Sequence, residues 1–184
     1  MMGEQGLIEL STFFLLLPAV VLGFLAQSRH AGMGRVWLVA LTLGCVYFAG
    51  EEVSWGQHLF GWATPDPVSR INDQQETNIH NISSWFDQKP RLLLELWVLG
   101  LTVMAFSPPL RRRWGRWDFL WADRRLAVPG LLAILVRLPE RIADGFDATL
   151  PQLLNFRLAE LQELMFAWVL LLFLWVSLTP ARRT

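Results

Sequence analysis

The chain has 184 residues, enough for a single domain; 53% of it is hydrophobic and only 17% charged. Soluble domains carry about 25% charged residues, so this composition excludes an ordinary water-soluble globular protein. Sixteen basic side chains balance sixteen acidic ones, which leaves no global attraction for nucleic acid. Ten Trp and twelve Phe stand against one Tyr, a bias suited to membrane interfaces. The single cysteine, Cys45, excludes an intrachain disulfide and reads as a small buried apolar residue.

Residues 7–26 form the first apolar run, about 20 residues, long enough to cross roughly 30 Å of hydrocarbon. Residues 1–6 carry Glu4 and no Lys or Arg, so they lack the basic start of a cleaved leader, and the run is expected to stay as a span with a kink at Pro18. A short turn with Arg29, His30 and Arg35 follows. The second run starts at Val36, and its helix is expected to continue through Glu51 and Glu52 to about Phe60, where Gly61 to Pro67 supply breakers. Residues 63–90 read as a polar outer loop folding back over the bundle, with a short helix near 72–82. The third run covers 92–107 and ends at Pro108-Pro109. Residues 109–125 are a basic loop with six arginines and three tryptophans, read as a cytoplasmic anchor loop at the headgroups rather than a nucleic-acid or anionic-lipid patch. The fourth run, about 126–143, holds Pro129, Gly130 and Arg137 and is either a tilted or broken span or a re-entrant segment. The fifth covers about 158–179, with Arg182 and Arg183 behind it.

Charge asymmetry sets the expected topology. With five spans, the Arg29/Arg35 turn, the six-arginine loop and the Arg182/Arg183 tail share one side, which is the cytoplasm by the positive-inside rule. The expected architecture is therefore an all-α integral membrane bundle of about five transmembrane helices. It forms one domain over residues 1–184, N-terminus out and C-terminus in, capped on its outer face by a loop and short helix.

This topology stacks carboxylates near the outer face: Glu9 in the first span, Glu51 and Glu52 at the end of the second, Glu95 in the third, and Glu160 and Glu163 in the last. Ionisable groups in a bilayer face a partner or a wet cavity. The expected cations are Arg137, Arg141 and Arg157, with His58 and His80 in the outer segment. Glu51 and His58 are seven apart and would share a helix face; so would Glu76 and His80, four apart, if their segment is helical. Arg157 and Glu160 can pair at i, i+3. Two Glu–His pairs (Glu51, His58, Glu76, His80) can hold a divalent metal with an open water position. Alternatively, crowded carboxylates divide into a general acid and a general base. The bland alternatives are structural ion pairs at Glu51/Glu52 and a hydrogen-bonded loop cap at Glu76/His80.

The stretch 50–81, with GEEVSWGQ and ETNIHN, resembles a motif of multi-pass bacterial membrane proteins in which Glu-Glu-x-Ser-Trp-Gly-Gln is followed by Glu-Thr-Asn-x-His-Asn and a Glu-rich start to the last span. The resemblance covers about a fifth of the chain and carries Glu51, Glu52, Ser54, Trp55, Gly56, Gln57, Glu76, Asn78, His80 and Asn81. It implies a bacterial inner-membrane location and no particular activity, and it argues against His58 as a ligand, since arginine stands there in the family. A weaker likeness links Glu76-Thr77-Asn78-Ile79-His80 to the progestin and adiponectin receptor family, whose closing His-x-x-x-His this chain lacks.

Three functional classes remain. One is an enzyme on a lipid or lipid-linked substrate, with Glu51, Glu52, Glu76 and His80 as acid/base or metal-binding groups. Trp55, Gln57, Asn78, Asn81, Glu95, Arg157, Glu160 and Glu163 would support them. The second is an accessory or assembly subunit of a membrane complex, with a structural polar cluster. The third, a proton or ion pathway, needs carboxylates spaced across the membrane, whereas these gather at one face.

Overall fold

The computed structural model describes residues 4–66, 84–121, 123–146 and 158–178. Its helices in chain order are α1 Glu4–Gln27, α2 Gly32–Glu52, α3 Gln57–Phe60, α4 Ser84–Phe106, α5 Pro108–Arg113, α6 Asp118–Trp121, α7 Ala127–Leu135, α8 Leu138–Gly145 and α9 Leu158–Leu178. No strand occurs among the described residues. Three helices, α1, α2 and α9, are long and apolar enough to cross a membrane. Only helices and closed barrels satisfy every backbone polar group in hydrocarbon, which fits an all-helical answer to this composition.

α1 packs along both α2 and α9, and α7 packs against α4 and α9. The main core gathers Leu16, Ala19 and Ala26 of α1, Leu38 and Cys45 of α2, Leu101 of α4, and Leu170, Phe173 and Leu174 of α9. A smaller core joins Val98, Ala133, Phe166 and Val169. Lipid tails give apolar helices no hydrophobic reason to associate, so close approach at small residues does the work. Gly23 of α1 lies so near Thr42 of α2 that a β-carbon there would overlap the hydroxyl. That hydroxyl donates to Leu38 O at 2.6 Å and accepts from Gln27 Nε2 at 3.1 Å. Gly130 of α7 meets Thr102 of α4 in the same way, with the Thr102 hydroxyl turned back onto Val98 O at 2.7 Å. The outward faces carry exposed Phe14, Val21, Phe24, Leu43 and Trp175.

Helix breaks follow local chemistry. α1 continues through Pro18. Between α7 and α8, Pro139 has no N–H to offer Leu135 O, and the chain loosens at Val136 and Arg137 before α8 resumes. The fourth apolar run is thus a broken helix. The second helix differs from the sequence expectation: it stops at Glu52 instead of running on to Phe60. Residues 84–90, expected in the outer loop, belong to α4, which carries Pro90 within it.

One end of the bundle is basic. Arg29 Nη1 donates to Leu178 O at 2.6 Å, and His30 Nε2 lies 2.9 Å from Ser177 O. The α1–α2 turn thereby serves carbonyls in the last turn of α9, which have no donor within the helix. The basic segment folds back against the same region. Phe119 abuts Gly34, Trp97 Nε1 donates to Leu120 O at 3.0 Å, and Trp121 lies on Gly100. Trp97 also meets Trp37 and Phe173 edge-on, with centroids 5.7 and 5.0 Å away.

Replacing Gly130 by Val should lower stability by about 1–3 kcal/mol, the usual cost of overpacking, read as thermal unfolding in detergent. Adding Thr102→Ala should restore part of the loss. In the turn after α6, Asp123 accepts from Arg125 N at 2.8 Å and from Arg125 Nη2 at 3.0 Å, and the Arg125 side chain holds its carboxyl below the ordinary value. A carboxyl depressed on folding stabilises above its unfolded value and loses that contribution as pH falls through the folded value. Asp123→Asn should therefore flatten the acid limb of the stability–pH curve below about pH 4.

Candidate functional site

The acidic end begins where α2 breaks. Val53 leaves the helix, and Ser54, Trp55 and Gly56 follow with φ of 47°, 53° and 102°, three consecutive residues in the left-handed region. Glycine adopts it freely; Ser and Trp do so at roughly 1–2 kcal/mol each. The surroundings fix the turn. Ser54 is fully buried. The Trp55 indole lies across Gly50, where a β-carbon would stand 2.9 Å from the ring, and it meets Tyr47 edge-on at 6.4 Å. Its Nε1–H donates to Glu51 Oε1 at 2.5 Å. Trp55 is thus bent back one turn over its own helix and holds the Glu51 carboxylate, which is buried. α3 is closed by Gly61, at φ 72°, whose N–H reaches Gln57 O at 2.8 Å. Gln57 Nε2 donates to Thr64 Oγ1 at 3.0 Å. Phe60 and Trp62 stack with centroids 5.7 Å apart and stay exposed, as does much of Trp55.

Glu52 lies within electrostatic reach of Glu9 on α1, Glu160 on α9, Arg91 on α4 and its neighbour Glu51. Arg91 forms an ion pair with Glu163 of α9. One turn along α4, Glu95 takes a two-pronged pair from Arg141 of α8, at 2.6 and 2.7 Å. Arg137 pairs with Glu140 at 2.8 Å, so it is engaged within its own segment. Buried Gln162 of α9 donates to Ala133 O of α7 at 3.1 Å.

Four helices thus bring Glu51, Glu52, Glu160 and Glu163 to one neighbourhood, with Glu9 and Arg91 among them, and α4 links it to Glu95. Glu76, Asn78, His80, Asn81 and Arg157 lie outside the described residues. His58 falls in α3. The premise that Glu51 and His58 share a continuous helix face does not hold, because three left-handed residues separate α2 from α3. Among the described residues no group of three or more His, Cys, Asp or Glu is arranged to hold a metal ion.

Arg137, Arg141 and Arg157 are the cations expected from the sequence; Arg91 is the one that enters this cluster among the described residues. Its spacing of four residues before Glu95 on the same helix face points only to Glu95, which is taken by Arg141 instead. Gln162, between Glu160 and Glu163, was also missed; a polar residue inside an apolar helix that needs a buried partner is its own signal. Around Glu52 and Arg91 together, the described residues gather five carboxylates (Glu9, Glu51, Glu52, Glu160 and Glu163) and one guanidinium. Such a set can hold protons or receive a cationic or hydrogen-bond-donating group.

No family model, curated protein or solved structure matches the chain.

Arg91→Gln and Glu163→Gln should each lower thermal stability, and the double variant should lose less than the sum. The expected coupling is about 1 kcal/mol for a half-buried pair, measured by a double-mutant cycle in detergent. Strict additivity would show that the pair holds nothing.

Proposed function

We propose that this is a multi-pass protein of the bacterial inner membrane whose acidic end is an acid–base site for a lipid or lipid-linked substrate. In this reading α1, α2 and α9 are joined by α4 and by the broken α7–α8 pair to make five spans, with the basic end in the cytoplasm. The observation that carries the chemistry is the setting of Glu52, among Glu9, Glu51, Glu160 and Arg91 from three other positions in the bundle and the same helix end. General acid–base work needs two groups of differing proton affinity within reach of one substrate, and a cluster richer in carboxylates than guanidiniums can provide them. Exposed Trp55, Phe60 and Trp62 beside it offer apolar faces for an acyl, prenyl or sugar group. Glu76 and His80 complete the proposed set from the outer segment, with a divalent metal as an alternative way of using them.

A second reading, an accessory subunit whose polar cluster is structural, draws on the ion pairs: Glu163 and Glu95 are each engaged by an arginine of another helix. A proton or ion pathway has the least support, since the carboxylates gather at one end.

Glu52→Gln removes a charge and keeps the shape. In a deletion strain complemented with this variant, the lipid profile should match that of the uncomplemented deletion while the protein accumulates normally. A lipid profile identical in wild type, deletion and variant would refute the enzymatic reading. Reduced accumulation or loss of a co-purifying partner, with lipids unchanged, would favour the accessory one. His80→Ala should behave as Glu52→Gln does.

A further inference from the structure

The segment 107–126 joins α4 to α7, and it is more than a connector. It carries six arginines against Asp118 and Asp123, an excess of four positive charges in 20 residues. Its apolar side is fastened to the protein. Leu120 O accepts from Trp97, Trp121 lies on Gly100, and Phe119 abuts Gly34 at the start of α2. These contacts put it beside the α1–α2 turn, which itself reaches the last carbonyls of α9. It therefore rims one end of the three helices that are long and apolar enough to cross a membrane.

Its charged side points away. Arg111 approaches Asp118 at 3.8 Å, and Arg125 is engaged by Asp123. Arg112, Arg113 and Arg124 are exposed, and none has a carboxylate partner among the described residues. Arg116 lies over the Trp117 ring at 5.3 Å, while Trp114 is 45% exposed. Exposed guanidiniums beside indoles, at the level where apolar helices end, match a layer of phosphodiesters above acyl chains. Guanidinium forks fit phosphate oxygens, and indoles favour the boundary between headgroup and chain.

We propose that the Pro108–Leu126 elbow is a binding surface for anionic phospholipid headgroups. It rests on the membrane reading above but not on any chemistry at the acidic end. The lipid source is favoured over nucleic acid because the charge lies at the end of the apolar helices, and Phe119 and Trp121 are committed to α2 and α4.

The test uses the full chain in neutral detergent, offered equal amounts of phosphatidylglycerol and phosphatidylcholine. Retained lipid is read by native mass spectrometry. Phosphatidylglycerol should be retained preferentially, and the preference should fall at least about fivefold in the Arg112→Gln/Arg113→Gln/Arg124→Gln variant, given the usual contribution of each basic residue at an anionic surface. The corresponding Arg→Lys variant should keep most of it. If the glutamine variant fails to fold, raising salt on the wild-type protein should weaken phosphatidylglycerol retention and leave phosphatidylcholine unchanged. Equal retention of the two lipids, or preference untouched by salt, would overturn the proposal. So would tight binding of a labelled single-stranded RNA that displaces the lipid. The readout is a headgroup preference set by arginines at the basic end and involves no lipid product, so failure here and failure of the acid–base reading are separable.

Discussion

The guanidinium of Arg91 sits beside Glu163 of α9 and within reach of Glu52 of α2. Charges in or near hydrocarbon are tolerated only when something on another element answers them. At this end of the bundle the answers cross between helices: Arg91 to α9, Arg141 of α8 to Glu95 of α4, Gln162 of α9 to Ala133 of α7. Apolar surfaces sliding on one another have no preferred register, whereas a carboxylate and a guanidinium have one. The polar cross-links therefore set how α4, α7, α8 and α9 align, and Gly23 and Gly130 set how closely their neighbours approach.

The two ends of the protein use polar groups differently. At the basic end, Arg29, His30 and Trp97 serve backbone carbonyls left over at helix ends. Those contacts complete hydrogen bonding and leave little chemistry to do. At the acidic end, Gln162 aside, side chain faces side chain, and carboxylates exceed cations among the described residues. A charge imbalance held in place by rigid helices is a recurrent way to prepare a site for a proton or a charged group. The Ser54–Gly56 reversal belongs to the same economy of strain. Two residues kept in a conformation they disfavour, beside Glu51, are a place where the fold accepts a local cost.

Much of this was visible in the residues before the structure. Long apolar runs gave α1, α2 and α9, because a 20-residue run leaves few alternatives. The levels of Glu9, Glu51, Glu52, Glu160 and Glu163 followed from counting along helices. The end of α2 was harder. Val53-Ser54-Trp55 contains no breaker, and Gly56 alone does not announce that Ser54 and Trp55 precede it with positive φ; that conformation depends on Trp55 finding Gly50 and Glu51, a tertiary contact within one turn of helix. Arg91 was overlooked for a related reason. Its partner, Glu163, is 72 residues away, and spacing rules see only neighbours within a turn. The Pro139 break was legible in principle, yet Val136 and Arg137 keep nearly helical angles, so the segment reads as one run with a flaw.

The packing of α1 against both α2 and α9 has a consequence for how the chain is made. α2 follows α1 after a short turn, but α9 begins 131 residues after α1 ends. At roughly 5–20 residues per second of synthesis, that interval is roughly 7–26 s. Through it the face of α1 that packs on α9 has no partner, and Arg29 and His30 lack the carbonyls they later meet. The α1–α2 hairpin must be durable enough to wait, which the Gly23–Thr42 contact and the Gln27 hydrogen bond provide locally. The closing of the first helix onto the last is therefore a late step, while α4 and α7 can pack on one another before it.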